Sequence, residues 1–242
     1  MPSTDTGERI YAIGDVHGCI DLLKQLLDRI GEHTRELPPT RSLYLILIGD
    51  VIDRGPHSAD VLALLYDLHR QNANVITLLG NHEAAMLEAL AGDVDAFRQW
   101  IAVGGAETLQ SFGVEPRRSG EHPRDYLMRA RGAIPPAWLA WLSTCPLSVR
   151  SGDYYFVHAG IRPGVALDRQ AREDMLWIRE DFLPDRRSHG AVIVHGHTIT
   201  RSVERHANRI GIDTGAYRSG LLSAVYLEGE ACEIISARAW KQ

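Results

Sequence analysis

An α/β fold is predicted by two features of the sequence. Three short apolar runs, residues 9–13, 43–48 and 75–79, each stop at a polar loop that contains glycine. Each loop is followed by apolar residues at three- to four-residue spacing, the pattern of one buried helical face. Alternating strand and helix favours adjacent parallel strands joined by right-handed crossovers, which brings all three loops to one edge of a sheet. Ligands of open α/β sheets bind beyond that edge.

In chain order, residues 9–13 form the first strand and deliver Gly14-Asp15-Val16-His17-Gly18. Leu23, Leu26, Leu27 and Ile30 then mark a helix, with Gly31 as its expected stop. Residues 43–48 deliver Gly49-Asp50-Val51-Ile52-Asp53-Arg54-Gly55, after which Ser58 is the expected N-cap of a helix carrying Val61, Leu64, Leu65 and Leu68. The third strand delivers Gly80-Asn81-His82-Glu83, and Met86, Leu87 and Leu90 continue as helix. Residues 93–142 carry helical spacing and weak strand signals, and read as a helical cap or insertion in a single domain spanning 1–242. Beyond it, six short β runs (147–150, 154–157, 191–194, 209–212, 221–227 and 232–235) predict a second, more antiparallel sheet. Two of these runs end in histidine, at His158-Ala159-Gly160 and at His195-Gly196-His197.

The composition excludes several classes of function. A chain of 242 residues with net charge −5 has no electrostatic footprint for nucleic acid or anionic membrane. No run reaches the ~18 apolar residues of a membrane span, and the N-terminus has no signal-peptide pattern. The three cysteines are scattered without CxxC spacing, which argues against a disulfide framework and a zinc knuckle and for a reducing cytosol.

Asp15, His17, Asp50, Asn81, His158 and His197 form a set of oxygen and imidazole donors at strand ends. Such a set suits Mn²⁺, Fe or Zn²⁺ and is too large for one ion. With two ions a carboxylate can bridge, and Asp50, on the middle strand of the three, is the candidate. Two-metal sites acidify water for attack, so the pattern points to hydrolysis. A lone Asp or His at a strand end is ordinarily a cap or turn residue. A motif of four fixed residues arises by chance in such a chain with probability on the order of 10⁻³, and here three occur in order.

The three motifs, Gly14 to Gly18, Gly49 to Gly55 and Gly80 to Glu83, resemble the signatures of the PPP-type metallophosphatases. The likeness is to bacterial serine/threonine phosphatases of the lambda-phage type, and it extends through His158 to His197. It implies a four-layer α/β/β/α sandwich of two mixed sheets flanked by helices. It also implies two divalent ions, Mn²⁺ the first expectation and Fe or Zn²⁺ the alternatives. Asp15 and His17 would hold one ion, Asp50 would bridge, and Asn81, His158 and His197 would hold the other. His82 would be the general acid and Asp53 the carboxylate that orients it. Arg54 and Arg179 would bind phosphate, although a guanidinium such as Arg179 also suits a surface ion pair.

A phosphoprotein or phosphopeptide is the partner this resemblance implies, and a symmetrical diadenosine tetraphosphate hydrolase is the runner-up. Glu83, rather than Asp, closing the third motif favours the former. A non-catalytic binding module built on a decayed phosphatase is the third reading, disfavoured because every expected ligand is present. His195 alternates with His197 and is expected to be structural, Glu83 to be a buried hydrogen-bonding residue, and Trp100 and Trp138 to be packing residues.

Overall fold

The computed structural model describes residues 1–239. Strand β1 (Glu8–Ile13) is followed by α1 (Ile20–Glu36), β2 (Ser42–Leu47), α2 (Ser58–Gln71), β3 (Val75–Thr77) and α3 (Asn81–Leu90). β1, β2 and β3 pair in parallel, as strands separated by helical crossovers must. The 93–142 segment holds α4 (Val94–Trp100), a π-helical turn at Ile101–Gly105, α5 (Ala106–Ser111), α6 (Pro123–Ala133) and α7 (Pro136–Ser143).

The remaining elements are β4 (Ser148–Ser151), β5 (Tyr154–Val157), α8 (Arg172–Trp177), β6 (Val192–His195), β7 (Glu204–Arg205), β8 (Arg209–Gly211), α9 (Ala216–Ser219), β9 (Leu221–Glu228) and β10 (Ala231–Arg238). They complete two five-stranded sheets, ordered β10-β9-β1-β2-β3 and β4-β5-β6-β8-β7.

Strand alternation assigns the layers. Ile10, Ala12, Ile46 and Ile48 point from the first sheet into a core shared with Phe156, Val194, Ile212 and Val225. Their neighbours Tyr11, Ile13, Leu45 and Leu47 point the other way, onto Leu23, Leu26, Val61 and Leu65 of α1 and α2. Tyr155, Val157 and Ile193 leave the second sheet's outer face and pack on Met175, Ile178 and Phe182. The order is therefore helix, sheet, sheet, helix. Covered on both faces, the central strands read as unbroken apolar runs.

Three local expectations are corrected. The last two β runs do not join the second sheet: β9 lies antiparallel to β1, and β10 to β9, in the first. The second sheet is mixed, with β5, β6 and β8 parallel. Helix α1 runs through Gly31, where a Cβ would meet nothing within 4 Å. It stops at Leu37, in extended conformation with ψ of 154°, because the following Pro38 disfavours the helical region for its predecessor. Ser58 is the first residue of α2 rather than its cap, and its hydroxyl accepts the Asp53 N–H at 3.0 Å. Among the described residues, no helix is long and apolar enough to cross a membrane.

Phe156 is fully buried between the two sheets. Phe156→Ala is expected to cost about 3–5 kcal/mol, read as a lower urea midpoint at unchanged slope. A loss under about 1 kcal/mol would show that the sheets do not rest on this contact.

Candidate active site

The six predicted donors come together at one edge of the sandwich, four from the first sheet and two from the second. Asp15 and His17 follow β1, Asp50 follows β2, Asn81 opens α3, His158 follows β5 and His197 follows β6. The loops are fastened to one another by backbone bonds. The Asp50 carbonyl accepts the N–H groups of Val16 and His17 at 3.1 and 2.9 Å, and Val51 accepts that of Gly18. His158 and Gly196 join the second sheet's two loops, and the Asp15 carboxylate accepts the His197 N–H at 3.0 Å. A Cβ on Gly80 would strike both Asp50 and Glu83, so only glycine permits this approach of loop to loop.

Glu83 organises the centre. Its carboxylate accepts N–H groups from Asp50, Val51, Ile52 and Gly80 at 2.9–3.2 Å. Burial pushes its pKa up to about 7, with the Asp50 charge adding to the rise and His82 and the Ile52 N–H opposing it. It serves as the buried hydrogen-bonding residue that the sequence led us to expect.

Two groups of ligand atoms lie within 4.8 Å of one another: His17, Asp50 and His82, and Asp50, His158 and His197. Asp50 belongs to both. Each of two imidazoles presents one nitrogen to this centre because the other is engaged by a carbonyl. His17 Nδ1 meets Ile52 O at 2.8 Å and His158 Nδ1 meets Ile48 O at 2.9 Å. A carbonyl only accepts, so Nδ1 carries the proton and Nε2 keeps its lone pair. His158 Nε2 in turn faces Asn81 Oδ1 at 2.8 Å. Burial lowers the pKa of His158, and lowers those of His17 and His197 to about 3, against the pull of the Asp50 charge. Asp50 is held ionised: burial would raise its pKa, but His158, His82 and His17 draw it below the usual carboxylate range.

Asp15 stands outside both close groups. One of its oxygens is taken by the His197 N–H, and the other is buried without a partner. Burial, then the nearby charges of Asp213 and Asp50, raises its pKa well above the ordinary range. An orphaned buried carboxylate oxygen beside converging imidazole lone pairs and an ionised carboxylate is a donor set that fits divalent cations.

His82 differs from its neighbours. Its Nδ1 lies 2.6 Å from Asp53 Oδ2, and its Nε2 points back to the centre, 3.9 Å from Asp50. Burial alone would lower its pKa, but the Asp50 charge and the Asp53 hydrogen bond outweigh that and raise it. Arg54 Nη1 lies 3.2 Å from His17 Nε2, and Arg179 Nη2 donates to the His197 carbonyl at 3.3 Å. The two guanidinium groups thus reach the cluster from the sides of its two sheets. His195, as expected of a structural residue, is buried against Phe182, its ring centroid 5.1 Å away.

Several site residues were not evident in the sequence. Trp100 Nε1 and Thr108 Oγ1 both donate to Asp53, at 3.0 and 2.6 Å, so the helical insertion grips the carboxylate that holds His82. The Gly104 carbonyl accepts the Arg54 N–H, and a Cβ at Gly104, where φ is +130°, would press on Arg54 at 2.8 Å. Tyr217 lies over His17 with ring centroids 5.1 Å apart. Asp213, buried at the end of β8, has its pKa raised to about 6, burial being the largest cause. It carries the same signal that identified Asp15 and Asp50, an acid directly after an apolar strand.

A two-sheet α/β sandwich with buried Asp, His and Asn donors at its strand ends is the build of a metallophosphoesterase. Residues 8–218 match the calcineurin-like phosphoesterase family, and the chain belongs to it. It is 33% identical over 156 residues to a symmetrical bis(5'-nucleosyl)-tetraphosphatase of Aromatoleum aromaticum, covering 64% of this chain and 45% of that protein. It is 34% identical over 154 residues to the enzyme of the same name from Methylococcus capsulatus, covering 64% and 44%. The matched region thus spans somewhat under half the length of these curated relatives. A solved structure provisionally named a diadenosine tetraphosphatase shares the fold over the whole of both chains, with TM-score 0.65 and 21% identity. A protein serine/threonine phosphatase from Saccharomyces cerevisiae shares it over 100% of this chain and 85% of that one, with TM-score 0.60 and 15% identity.

These relatives correct the expected partner. The phosphoprotein or phosphopeptide substrate is overturned by the curated relatives, which carry the name of dinucleoside tetraphosphatases. The resemblance to serine/threonine phosphatases accordingly holds at the level of the wider family. The structure shows why Glu83 misled: its carboxylate is buried on backbone N–H groups and faces no substrate.

Asp50→Asn is expected to weaken binding of both ions by more than ~100-fold, beyond the effect of losing an outer hydrogen bond. Calorimetric titration of the metal-free protein with Mn²⁺ reads this directly. Two unperturbed sites in the variant would refute a shared role for Asp50.

Proposed function

We propose that the protein is a metal-dependent hydrolase of symmetrical dinucleoside tetraphosphates. The observation that carries the reaction class is the convergence of His17, His158 and His197 on one ionised carboxylate, Asp50. The substrate class is supported by the names of the curated relatives.

In this reading Asp15, His17 and Asp50 hold one ion, and Asp50, Asn81, His158 and His197 hold the other. Bound there, the ions supply acidified water and neutralise charge on the phosphoryl oxygens. Arg54 and Arg179 bind the flanking phosphate oxygens through planar, fork-shaped donors. His82 keeps its proton on Nε2 because Asp53 secures the Nδ1 proton and stabilises the imidazolium. It is placed to give that proton to the departing oxygen, a step that an alkoxide needs far more than a phosphate does. Trp100 and Thr108 stop Asp53 from rotating away. Burial of His82 and Asp53, 2% and 0% exposed, keeps bulk water from competing for the proton.

Mn²⁺-loaded protein is expected to convert diadenosine tetraphosphate into ADP alone, resolved by ion-exchange chromatography. Products of ATP and AMP would contradict central cleavage, and absence of turnover would contradict the reading altogether. His82→Asn is expected to slow alkyl phosphates by ~10²–10⁴-fold. The dinucleotide should suffer much less, because a departing phosphate has a pKa of about 6 and leaves with little help. Equal losses on the two would remove His82 as the acid.

A further inference from the structure

Beside the site lies a cleft of about 410 Å³, between α3, α4, the π-helical turn and α8. Its volume falls within the ~300–1,000 Å³ of small-molecule pockets. Ala84 and Ala85 line it, two and three residues after His82 on α3. Trp100, whose indole N–H holds Asp53, lines it from α4. Trp177 lines it from α8 and meets His197 edge-on, with ring centroids 6.1 Å apart. Trp100 and Trp177 thus stand between the cleft and the site, the first bonded to Asp53 and the second against His197.

Trp177 is 45% exposed, whereas Trp100 and Trp141 are 1% and 7% exposed. An indole at the last residue of a six-residue helix, offering a face to solvent at the rim of a phosphoesterase site, is a stacking surface. The polar rim has a definite sign. Glu88 and Glu173 set two carboxylates against the single guanidinium of Arg172, and Gln99 adds one amide. Such a rim repels phosphate and acidic peptide. It suits a flat, neutral ring that carries exocyclic amino donors and a ring acceptor, for which an amide is a matched partner.

We propose that this cleft is the subsite for one nucleobase of the substrate, stacked on Trp177 and read at its edge by Gln99 and the two carboxylates. This rests on the dinucleotide reading above and deepens it by naming residues that select the nucleoside.

The test pairs two substrates, diadenosine tetraphosphate and p-nitrophenyl phosphate, the second of which has no base to stack. For Trp177→Ala, the ratio of kcat/KM between dinucleotide and aryl phosphate should fall about 10-fold, mainly through KM. Trp177→Phe should restore most of it. Ala96→Phe, which fills the cleft from α4, should lower the same ratio. Equal losses on both substrates would mean that Trp177 acts only on His197, and would overturn the subsite.

A second measurement is independent of turnover. Adenosine should quench the tryptophan fluorescence of the metal-free wild type, and the affinity read from this quenching should fall about 10-fold in Trp177→Ala and be weakened in Ala96→Phe. If the wild type leaves the dinucleotide intact, the functional reading falls, and the adenosine titration still decides the cleft. An unchanged adenosine affinity in Trp177→Ala, or no quenching in the wild type, would overturn it.

Discussion

The site depends on one carboxylate that is fully buried beneath it. Glu83 gathers the N–H groups of Gly80, Asp50, Val51 and Ile52 into a single buried acceptor. Each of those donors, left without it, would be an unsatisfied polar group in the core. Their common anchor lets the chain after β2 take a path it would not otherwise hold. Among the described residues, the non-glycine positions with positive φ are His17, Asp50, Asp53, Arg54 and His197, with values between 44° and 69°. All five are site residues. Left-handed backbone in non-glycine residues stores ~1–3 kcal/mol apiece and persists only where the surroundings over-determine it. Glu83 supplies that determination for the stretch from Asp50, and the carbonyl of Asp50 passes it to the β1 loop through Val16 and His17.

This arrangement explains which parts of the molecule were readable in the sequence. β1, β2 and β3 announced themselves because both faces of each are covered, and their loops because short polar motifs interrupt apolar runs. The six donors were legible for the same reason, whereas the pairing of His82 with Asp53 was implied by the family resemblance. Partners distant in sequence were not. β9 and β10 carry the same apolar pattern as second-sheet strands, and nothing in periodicity says that β9 pairs with β1 rather than β8. Trp100 and Thr108 reach Asp53 across 47 and 55 residues, so Trp100 read as packing and Thr108 gave no signal. Ser58 looked like a cap because its hydroxyl does accept a backbone N–H near a helix start, that of Asp53 rather than one of its own helix. Asp213 could have been found by applying the strand-then-acid rule to the last β runs as strictly as to the first.

The helical segment 93–142 is thereby part of the site's machinery. Its Trp100 and Thr108 hold Asp53, and its Gly104 carbonyl holds the Arg54 N–H. The helical path breaks between α4 and α5 at Gly104, whose φ of +130° is not helical, and it is the carbonyl of this residue that meets Arg54. The donors are likewise divided between the two sheets. Asp15, His17, Asp50 and Asn81 come from one, and His158 and His197 from the other. Any cation held by Asp50 and His158 together joins the sheets across the edge where their shared apolar core ends. Binding at the cluster and cohesion of the two sheets are therefore linked.

The sharpest division of labour in the site comes from atoms behind the histidines. Four imidazoles surround Asp50, and all feel its negative charge. Burial dominates for His17, His158 and His197 and lowers their pKa values. Only His82 moves up, and it is the one backed by a carboxylate. Behind His17 and His158 stand the carbonyls of Ile52 and Ile48, which fix a tautomer without adding a full charge. Neutral imidazoles with one free lone pair are ligands, whereas an imidazole paired with a carboxylate keeps a proton to give. The chain thus assigns two chemistries to one residue type by choosing a backbone oxygen in two places and Asp53 in another. The buried donors on Asp53 then prevent the exchange of those roles.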